Sequence, residues 1–389
     1  MRILKVHNYY QQPGGEDQSF AAEVELLQIH NHQVFCFTRH NDEIKSMSNI
    51  SIACKTLWNH DVYRTLLGTI RETKPDIVHF ENTFPLISPS AYYAARKAGV
   101  PIIQSLRNYR LFCANSFFLR DGKVCEDCLG KIFPYPALYH RCYRNNRLAT
   151  GVVVALQVFH RLIRTWQRTV DRYIALTEFA RSKYVEAGLP ENKIVVKPNF
   201  ITNDPGMGMG DGYFALFVGR LSVEKGITTL LSAWNHLSQK IPLWIAGDGP
   251  LRSMVETAAR QNPLIIVIGR KTPTEVLELM KKATMLLFPS LWFEGLPRVI
   301  IEAYAVGLPI VASNLGSMIS LIDHGNTGLH FRPGDPQDLV EKVEFLLRNH
   351  EIYRQMRLKA RNYYKNHFTS DKNYQILMQI YNDVLQGPR

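Results

Sequence analysis

Tyr213-Phe214-Ala215-Leu216-Phe217-Val218-Gly219-Arg220-Leu221-Ser222-Val223-Glu224-Lys225-Gly226 is the stretch whose reading decides the fold. A short apolar run of strand length meets a glycine, and an amphipathic stretch follows, which is the order strand, turn, helix. The unit recurs downstream, with strands expected at Pro242 to Ala246, Leu264 to Ile268, Met285 to Phe288 and Pro309 to Ala312. An earlier series is expected at Arg2 to His7, Gln33 to Thr38, Asp76 to Phe80, Pro101 to Ser105 and Arg172 to Leu176. Strands that alternate with helices and are apolar on both faces predict parallel sheets, so the chain reads as two α/β, doubly wound, Rossmann-like domains. Between the series lie Lys197-Pro198-Asn199-Phe200 and the Pro/Gly-rich run from Asn203 to Gly210, the expected domain boundary. From Gln337 to Leu385 the pattern is helical.

A length of 389 residues fits two or three domains. With 46% hydrophobic and 21% charged residues, the composition excludes a largely disordered, fibrous or coiled-coil chain. The most apolar helical stretch, Gly151 to Phe159 with Gln157 inside it, is shorter than the ~18 residues a membrane span needs. Met1-Arg2-Ile3-Leu4-Lys5-Val6-His7 reads as a strand and not as a secretory signal, so a cytoplasmic protein is expected.

The formal net charge is +12, and residues 101 to 200 hold 16 basic against 7 acidic side chains, or +9 of it. That patch suits an acidic substrate, an anionic membrane surface or a solvated basic face. Nucleic acid is not an expected partner, because no recognition module accompanies the charge. The stretch Val152 to Arg172 mixes Val153, Leu156, Phe159, Leu162, Ile163 and Trp166 with Arg161, Arg164, Arg168 and Arg172, which suits either a membrane surface or an interior helix with a basic edge.

Open α/β sheets bind ligands at the carboxyl ends of their strands. There Arg220 and Lys225, five residues apart beside Gly219, suit a diphosphate, one as a fork and one as a point charge. Gly247 and Gly269-Arg270 close the next two strands. Pro297 is expected in the first turn of a helix whose opening N–H groups are free to meet an anion. Glu294 and Glu302 bracket that terminus and can accept hydrogen bonds from sugar hydroxyls.

The Glu-x7-Glu spacing of Glu294 and Glu302, with Gly219-Arg220 and Lys225-Gly226, resembles the retaining nucleotide-sugar glycosyltransferases of the group 1 family, which have the GT-B fold. The likeness extends over essentially the whole chain. It implies two facing domains with an interdomain cleft: residues 1–200 for the acceptor, with a cysteine-containing insertion at 107–147, and residues 201–370 for the donor. Residues 371–389 would form a helix crossing back to the first domain.

By this resemblance Arg220 and Lys225 bind the donor diphosphate, Glu302 the ribose, Glu294 the transferred sugar, and backbone around Gly269 and Arg270 the base. Gly219, Gly247, Gly295, Leu296, Arg298 and Val299 complete the donor site, and Gly14 and Gly15, in the loop Gln12-Pro13-Gly14-Gly15-Glu16-Asp17, approach the phosphates and the acceptor. The implied catalytic residues are Glu294, Arg220, Lys225 and Glu81; those for the acceptor are His79, Asn82, Arg107 and Asn108. The implied reaction moves a sugar with retention to a glycan or lipid-linked acceptor in surface polysaccharide or glycolipid synthesis. It requires no metal or other cofactor and runs on the inner face of the cytoplasmic membrane.

Two positions depart from the family pattern. His79-Phe80-Glu81-Asn82 stands where relatives show His-x-His-Asn, and Leu106-Arg107-Asn108 where they show Leu-His-Asn. Three readings follow: a compensating Glu81/Arg107 ion pair, an altered donor or acceptor, or impaired catalysis. Under the last, the protein binds nucleotide sugar or glycan without turnover. Cys113, Cys125, Cys128 and Cys142, with one C-x2-C pair, fit a structural zinc site by ligand type, and equally reduced buried thiols or a redox pair. A zinc ion there would fold the loop and take no part in transfer.

Overall fold

The computed structural model describes residues 1–11 and 14–387. The chain divides into two compact units: Met1–Phe118, Glu126–Thr202 and Ser370–Arg389 form the first, Leu119–Cys125 and Asn203–Thr369 the second. The expected insertion at 107–147 is therefore shared between them.

In the first unit, strands β1 (Arg2–Tyr9), β2 (Gln33–His40), β3 (Ile77–Phe80) and β4 (Ile102–Leu106) belong to one sheet. After a two-residue hairpin, β5 (Leu119–Arg120) and β6 (Lys123–Val124), which groups with the second unit, come β7 (Arg172–Ala175) and β8 (Ile194–Val196). The sheet is parallel, in the order β2-β1-β3-β4-β7-β8. Strand β8 was not expected, being only three residues long.

The second unit holds β9 (Ala215–Val218), β10 (Leu243–Ala246), β11 (Ile265–Gly269), β12 (Met285–Phe288), β13 (Ile310–Ser313) and β14 (Gly328–Phe331). Their order is β11-β10-β9-β12-β13-β14, again parallel. Strand β14 was missed because it opens on a glycine, and the glycine has a packing reason: a Cβ on Gly328 would lie 2.2 Å from the Ile310 carbonyl oxygen.

Both sheets are buried through the middle, as parallel strands with helices on both faces must be. In the first unit, Ile3, Ile77, Ile103 and Ile174 come from four adjacent strands and are fully enclosed. Leu377, Ile380 and Tyr381 of the helix Ser370–Gln386 pack against them, so the end of the chain is part of this core. Each such side chain contributes about 1.5–3 kcal/mol by leaving water.

The glycine-rich boundary differs from expectation. Lys197 is buried in the first unit, whereas Gly208, Gly210 and Gly212 donate backbone hydrogen bonds to Val306, Lys281 and Lys282 within the second, at 2.8–2.9 Å. Arg361 pairs with Asp204 at 2.6 Å. A Cβ on Gly208 would stand 2.4 Å from the Lys281 backbone. These glycines permit close strapping to the second unit, and the boundary stretch from Asp204 to Gly212 is held to it.

Beneath the helix Ser370–Gln386 lies a sealed ion network. The Lys5 ammonium contacts Glu23 Oε1 at 2.5 Å, Glu81 Oε1 at 2.6 Å and His79 Nδ1 at 3.0 Å. Lys197 bonds Glu23 Oε2 at 2.8 Å and Asn373 Oδ1 at 3.0 Å. Tyr381 OH approaches His79 Nδ1 at 2.8 Å, and His79 Nε2 meets Ser105 Oγ at 2.8 Å. Burial, with the Lys5 charge beside it, pushes the His79 imidazole down to about 3, while Lys5 and Arg107 hold the Glu81 carboxylate well below its ordinary range against the cost of burial.

His79 is thus neutral when folded, and its contribution to stability is complete above its ordinary value near 6.5 and lost as pH falls toward 3. In urea titrations between pH 6.5 and about 5.5, above the range where unfolded glutamates take up protons, His79→Gln is expected to lower the slope of stability against pH, by an amount that approaches about 1.4 kcal/mol per pH unit at the lower end. An unchanged slope would place that protonation elsewhere.

Candidate functional site

In the second sheet the strand order reverses between β9 and β12, the place where ligands lodge in open α/β sheets. The loops leaving β9, β10 and β12 are held together by glycines. A Cβ on Gly226, at φ +71°, would fall 1.8 Å from the Pro289 carbonyl oxygen, and one on Gly247 would fall 1.9 Å from that of Gly219. The loops therefore approach backbone to backbone, and this fixes where Lys225 and Glu294 stand.

The Lys225 ammonium contacts Glu294 Oε1 at 2.6 Å and lies over Trp292, 5.2 Å from the ring centre. Ser290 Oγ and Trp292 Nε1 each donate to the same oxygen at 2.7 Å. Three donors thus fix Glu294 through Oε1, while Oε2 accepts no hydrogen bond among the described residues. The Arg220 side chain is exposed and makes no hydrogen bond or ion pair among the described residues.

The helix Arg298–Ala305 takes Pro297 as its N-cap and not in its first turn, a correction of one position. The opening N–H groups are those of Arg298 and Val299, which have no acceptor earlier in the helix. Glu302 lies one turn further along, half-buried, with Oε1 3.6 Å from Arg298 Nε. Burial raises its carboxyl above the ordinary range, with Arg298 opposing the shift. Gly269 ends β11 at φ +67° beside exposed Arg270, Gly295 is partly exposed, and Leu296 is buried.

In the first sheet the order reverses between β1 and β3. Gln12 and Pro13 of the expected glycine loop lie outside the described residues. Gly14 caps the helix Gly15–Ile29 and donates its N–H to Asp17 Oδ2 at 2.9 Å, while Asp17 Oδ1 meets His7 Nε2 at 2.8 Å. Glu16 accepts from Tyr10 OH and Asn108 Nδ2, both at 2.9 Å, and burial raises its carboxyl. Space around Gly14 and Gly15 is open.

Arg107 Nε donates to Glu81 Oε2 at 2.8 Å, so the two residues that depart from the family pattern form an ion pair, the first of the three readings. Arg107 Nη1 also bonds Asn199. Glu81 and His79 are buried, with both Glu81 oxygens and both His79 ring nitrogens engaged by the network, and Glu81 also borders a cavity. Asn82 donates to the Asn8 carbonyl at 2.7 Å and accepts from Phe84 N–H at 3.0 Å, so it shapes a turn.

A cavity opens beside these residues, lined by Arg107, Asn108, Arg110, Gln157 and Trp166 among others. Sequence reasoning did not name the last three as site residues. Gln157 left a signal as the lone amide inside an apolar helix; Trp166 left none.

Among the described residues, the only trio of metal-ligand types within 4.8 Å of one another is Glu23, His79 and Glu81, and the Lys5 ammonium already sits against all three. Cys113, Cys125, Cys128 and Cys142 are all half-buried, and no disulfide joins them among the described residues. Cys128 and Cys142 pack against Ala114, Ala137, Val153 and Val154.

The glycine contacts have a direct check in thermal unfolding. Gly226→Ala is expected to destabilise by about 1–3 kcal/mol through backbone strain alone, more with the clash, whereas Gly15→Ala, in open space, should change stability by less than about 1 kcal/mol. Equal melting temperatures for the two would contradict the close approach.

Residues 24–199 match the family described as "Glycosyl transferase 4-like domain", and residues 208–363 the one described as "Glycosyl transferases group 1". An uncharacterized glycosyltransferase of Methanocaldococcus jannaschii is 29% identical over 208 residues, 52% of this chain and 58% of that protein. The chain therefore spans little more than half the length of that relative. The capsular polysaccharide biosynthesis glycosyltransferase CapM of Staphylococcus aureus is 22% identical over 94% of this chain and 93% of its own. Among solved structures, Anabaena HepE in complex with UDP superposes with a TM-score of 0.68 at 17% identity, covering 98% of this chain and 100% of that one. Each unit thus matches a glycosyltransferase family over its own residues, and the chain has a GT-B-type fold.

Proposed function

We propose that the protein is a retaining glycosyltransferase that holds a nucleoside diphosphate sugar on its second unit and transfers the sugar to a glycan or lipid-linked acceptor received by the first. The observation that carries this is Glu294, fixed through one oxygen by Lys225, Ser290 and Trp292 with the other left open, beside an unpaired Arg220. Arg220, Lys225 and the N–H groups of Arg298 and Val299 supply enough positive charge to neutralise a leaving diphosphate, so the reading requires no divalent metal. Glu302 accepts from ribose hydroxyls, which suits a carboxylate paired only loosely, and Glu294 Oε2 orients the sugar. Backbone near Gly269 and Arg270 borders the base. The solved relative with bound UDP and the capsular polysaccharide relative support the donor class and the type of product.

In the proposed transfer the acceptor oxygen approaches the face from which the diphosphate departs, and its proton passes to the leaving phosphate oxygen; no protein nucleophile enters. Glu81 is then a positioning residue, steadying Arg107 at the edge of the acceptor cavity. In a panel of uridine, guanosine and adenosine diphosphate sugars, one nucleotide class should raise the melting temperature, and Arg220→Ala or Glu302→Ala should abolish the rise. Product formed in the presence of EDTA should keep the donor's anomeric configuration by NMR. An inverted product, or no shift with any donor, would overturn the reading.

The acceptor is further proposed to be met at an anionic membrane surface. No helix among the described residues is long and apolar enough to cross a membrane. One face of the helix Arg147–Leu162 buries Val153, Val154 and Leu156, while Leu148, Phe159 and Leu162 stand exposed on the other. Ile132, Phe133, Tyr135 and Tyr139 are also exposed, and Lys131, Arg144, Arg147, Arg161 and Arg164 lie among these positions in the sequence. Apolar side chains interspersed with cations suit an anionic leaflet. The chain should sediment with phosphatidylglycerol vesicles and not with phosphatidylcholine ones, and Leu148→Ser with Leu162→Ser should weaken this several-fold. Equal sedimentation with both lipids would rule the surface out.

A further inference from the structure

The cavity in the first unit is lined by two residues with a buried polar atom that the fold leaves unpaired, and by a half-buried guanidinium. Gln157 is 3% exposed; its Nε2 donates to the Arg110 carbonyl at 2.7 Å, which fixes the amide, and its Oε1 is buried without a donor. Trp166 is 2% exposed, and its indole N–H is buried without an acceptor. Arg110 lies beside the rings of Phe84 and Tyr143, 4.6 and 5.1 Å from their centres, and the two rings themselves meet edge to face. It donates to the Ala114 carbonyl at 2.6 Å and to Ser116 Oγ at 3.1 Å. A guanidinium has five N–H donors, so about three remain. Arg107, the neighbouring cation, is neutralised by Glu81, but Arg110 has no carboxylate partner among the described residues.

Buried polar atoms are seldom left unpaired, and each costs about 1–3 kcal/mol until something pairs it. Water alone can serve Gln157 and Trp166. The half-buried Arg110 guanidinium, beside two aromatic rings, has donors to spare and no carboxylate partner among the described residues, so it can meet an anion that enters the cavity. An acceptor and a donor in one cavity match hydroxyl groups, which do both; the unpaired guanidinium matches a carboxylate or phosphate oxygen.

We infer that this cavity receives an anionic sugar unit of the acceptor, a uronic acid or a sugar phosphate, with Arg110 reading its charge and Gln157 and Trp166 its hydroxyls. This rests on the reading of the first unit as the acceptor side, and it names the substrate class.

Binding to the full chain of glucuronate, glucose 1-phosphate and methyl glucoside, measured by ligand-observed NMR, separates the possibilities. One of the two anionic sugars should bind at least tenfold more tightly than the neutral one, and which it is identifies carboxylate or phosphate. Arg110→Gln should erase that preference, Arg110→Lys should keep part of it, and Gln157→Leu should weaken the preferred sugar several-fold, each at an unchanged far-ultraviolet circular dichroism spectrum. Equal binding of charged and neutral sugars, no binding of any, or a preference that survives Arg110→Gln would overturn the inference. Donor binding is scored separately by nucleotide-sugar thermal shift. A lost shift with the preference intact would sink only the transferase reading, and the reverse result only this one.

Discussion

The contact on which the rest of the second unit's site depends is the 2.6 Å pair between Lys225 and Glu294. A partly buried ammonium and carboxylate stabilise each other only where geometry holds them close, and here the geometry comes from backbone. Gly226 lets the first loop lie against Pro289, and Gly247 lets the next strand end lie against Gly219. With three donors on one oxygen, Glu294 has little freedom to turn, so its other oxygen is presented in a fixed direction. Preorganisation of this kind lets a site meet a charged ligand without first reorganising itself.

The first unit contains the same pairing closed off. Lys5 sits between Glu23 and Glu81, Lys197 completes Glu23, and Arg107 completes Glu81. Three cations face two carboxylates there, and neutral Asn199, Asn373, Ser105 and Tyr381 fill the remaining hydrogen-bond positions. Removing one partner from such a set costs about 3–5 kcal/mol, which ties the helix Ser370–Gln386 to the sheet by polar as well as apolar contacts. The network also pairs Glu81 with Arg107, as the first of the three readings of these two positions expects.

Much of this was legible in the sequence. The alternation of apolar runs with amphipathic stretches gave ten of the strands to within a residue or two, because buried parallel strands leave a strong local signal. Strands β8 and β14 escaped, one for brevity and one for its glycine. The spacing of Arg220, Lys225, Glu294 and Glu302 put these residues beyond the ends of two strands, and the structure places them after β9 and β12. What spacing does not carry is partnership across the fold. Whether Glu81 faces a substrate or an ammonium depends on Lys5, 76 residues away, and whether the glycines after Asn203 bend or strap depends on Lys281 and Arg357.

The central claim is that the second unit reads a diphosphate through Lys225 and its neighbours. Calorimetric titration with the nucleoside mono- and diphosphates of the preferred base tests it most directly. The diphosphate should bind at least tenfold more tightly, and Lys225→Ala should remove most of that difference. Equal affinity for the two nucleotides, or a difference that survives Lys225→Ala, would contradict the account.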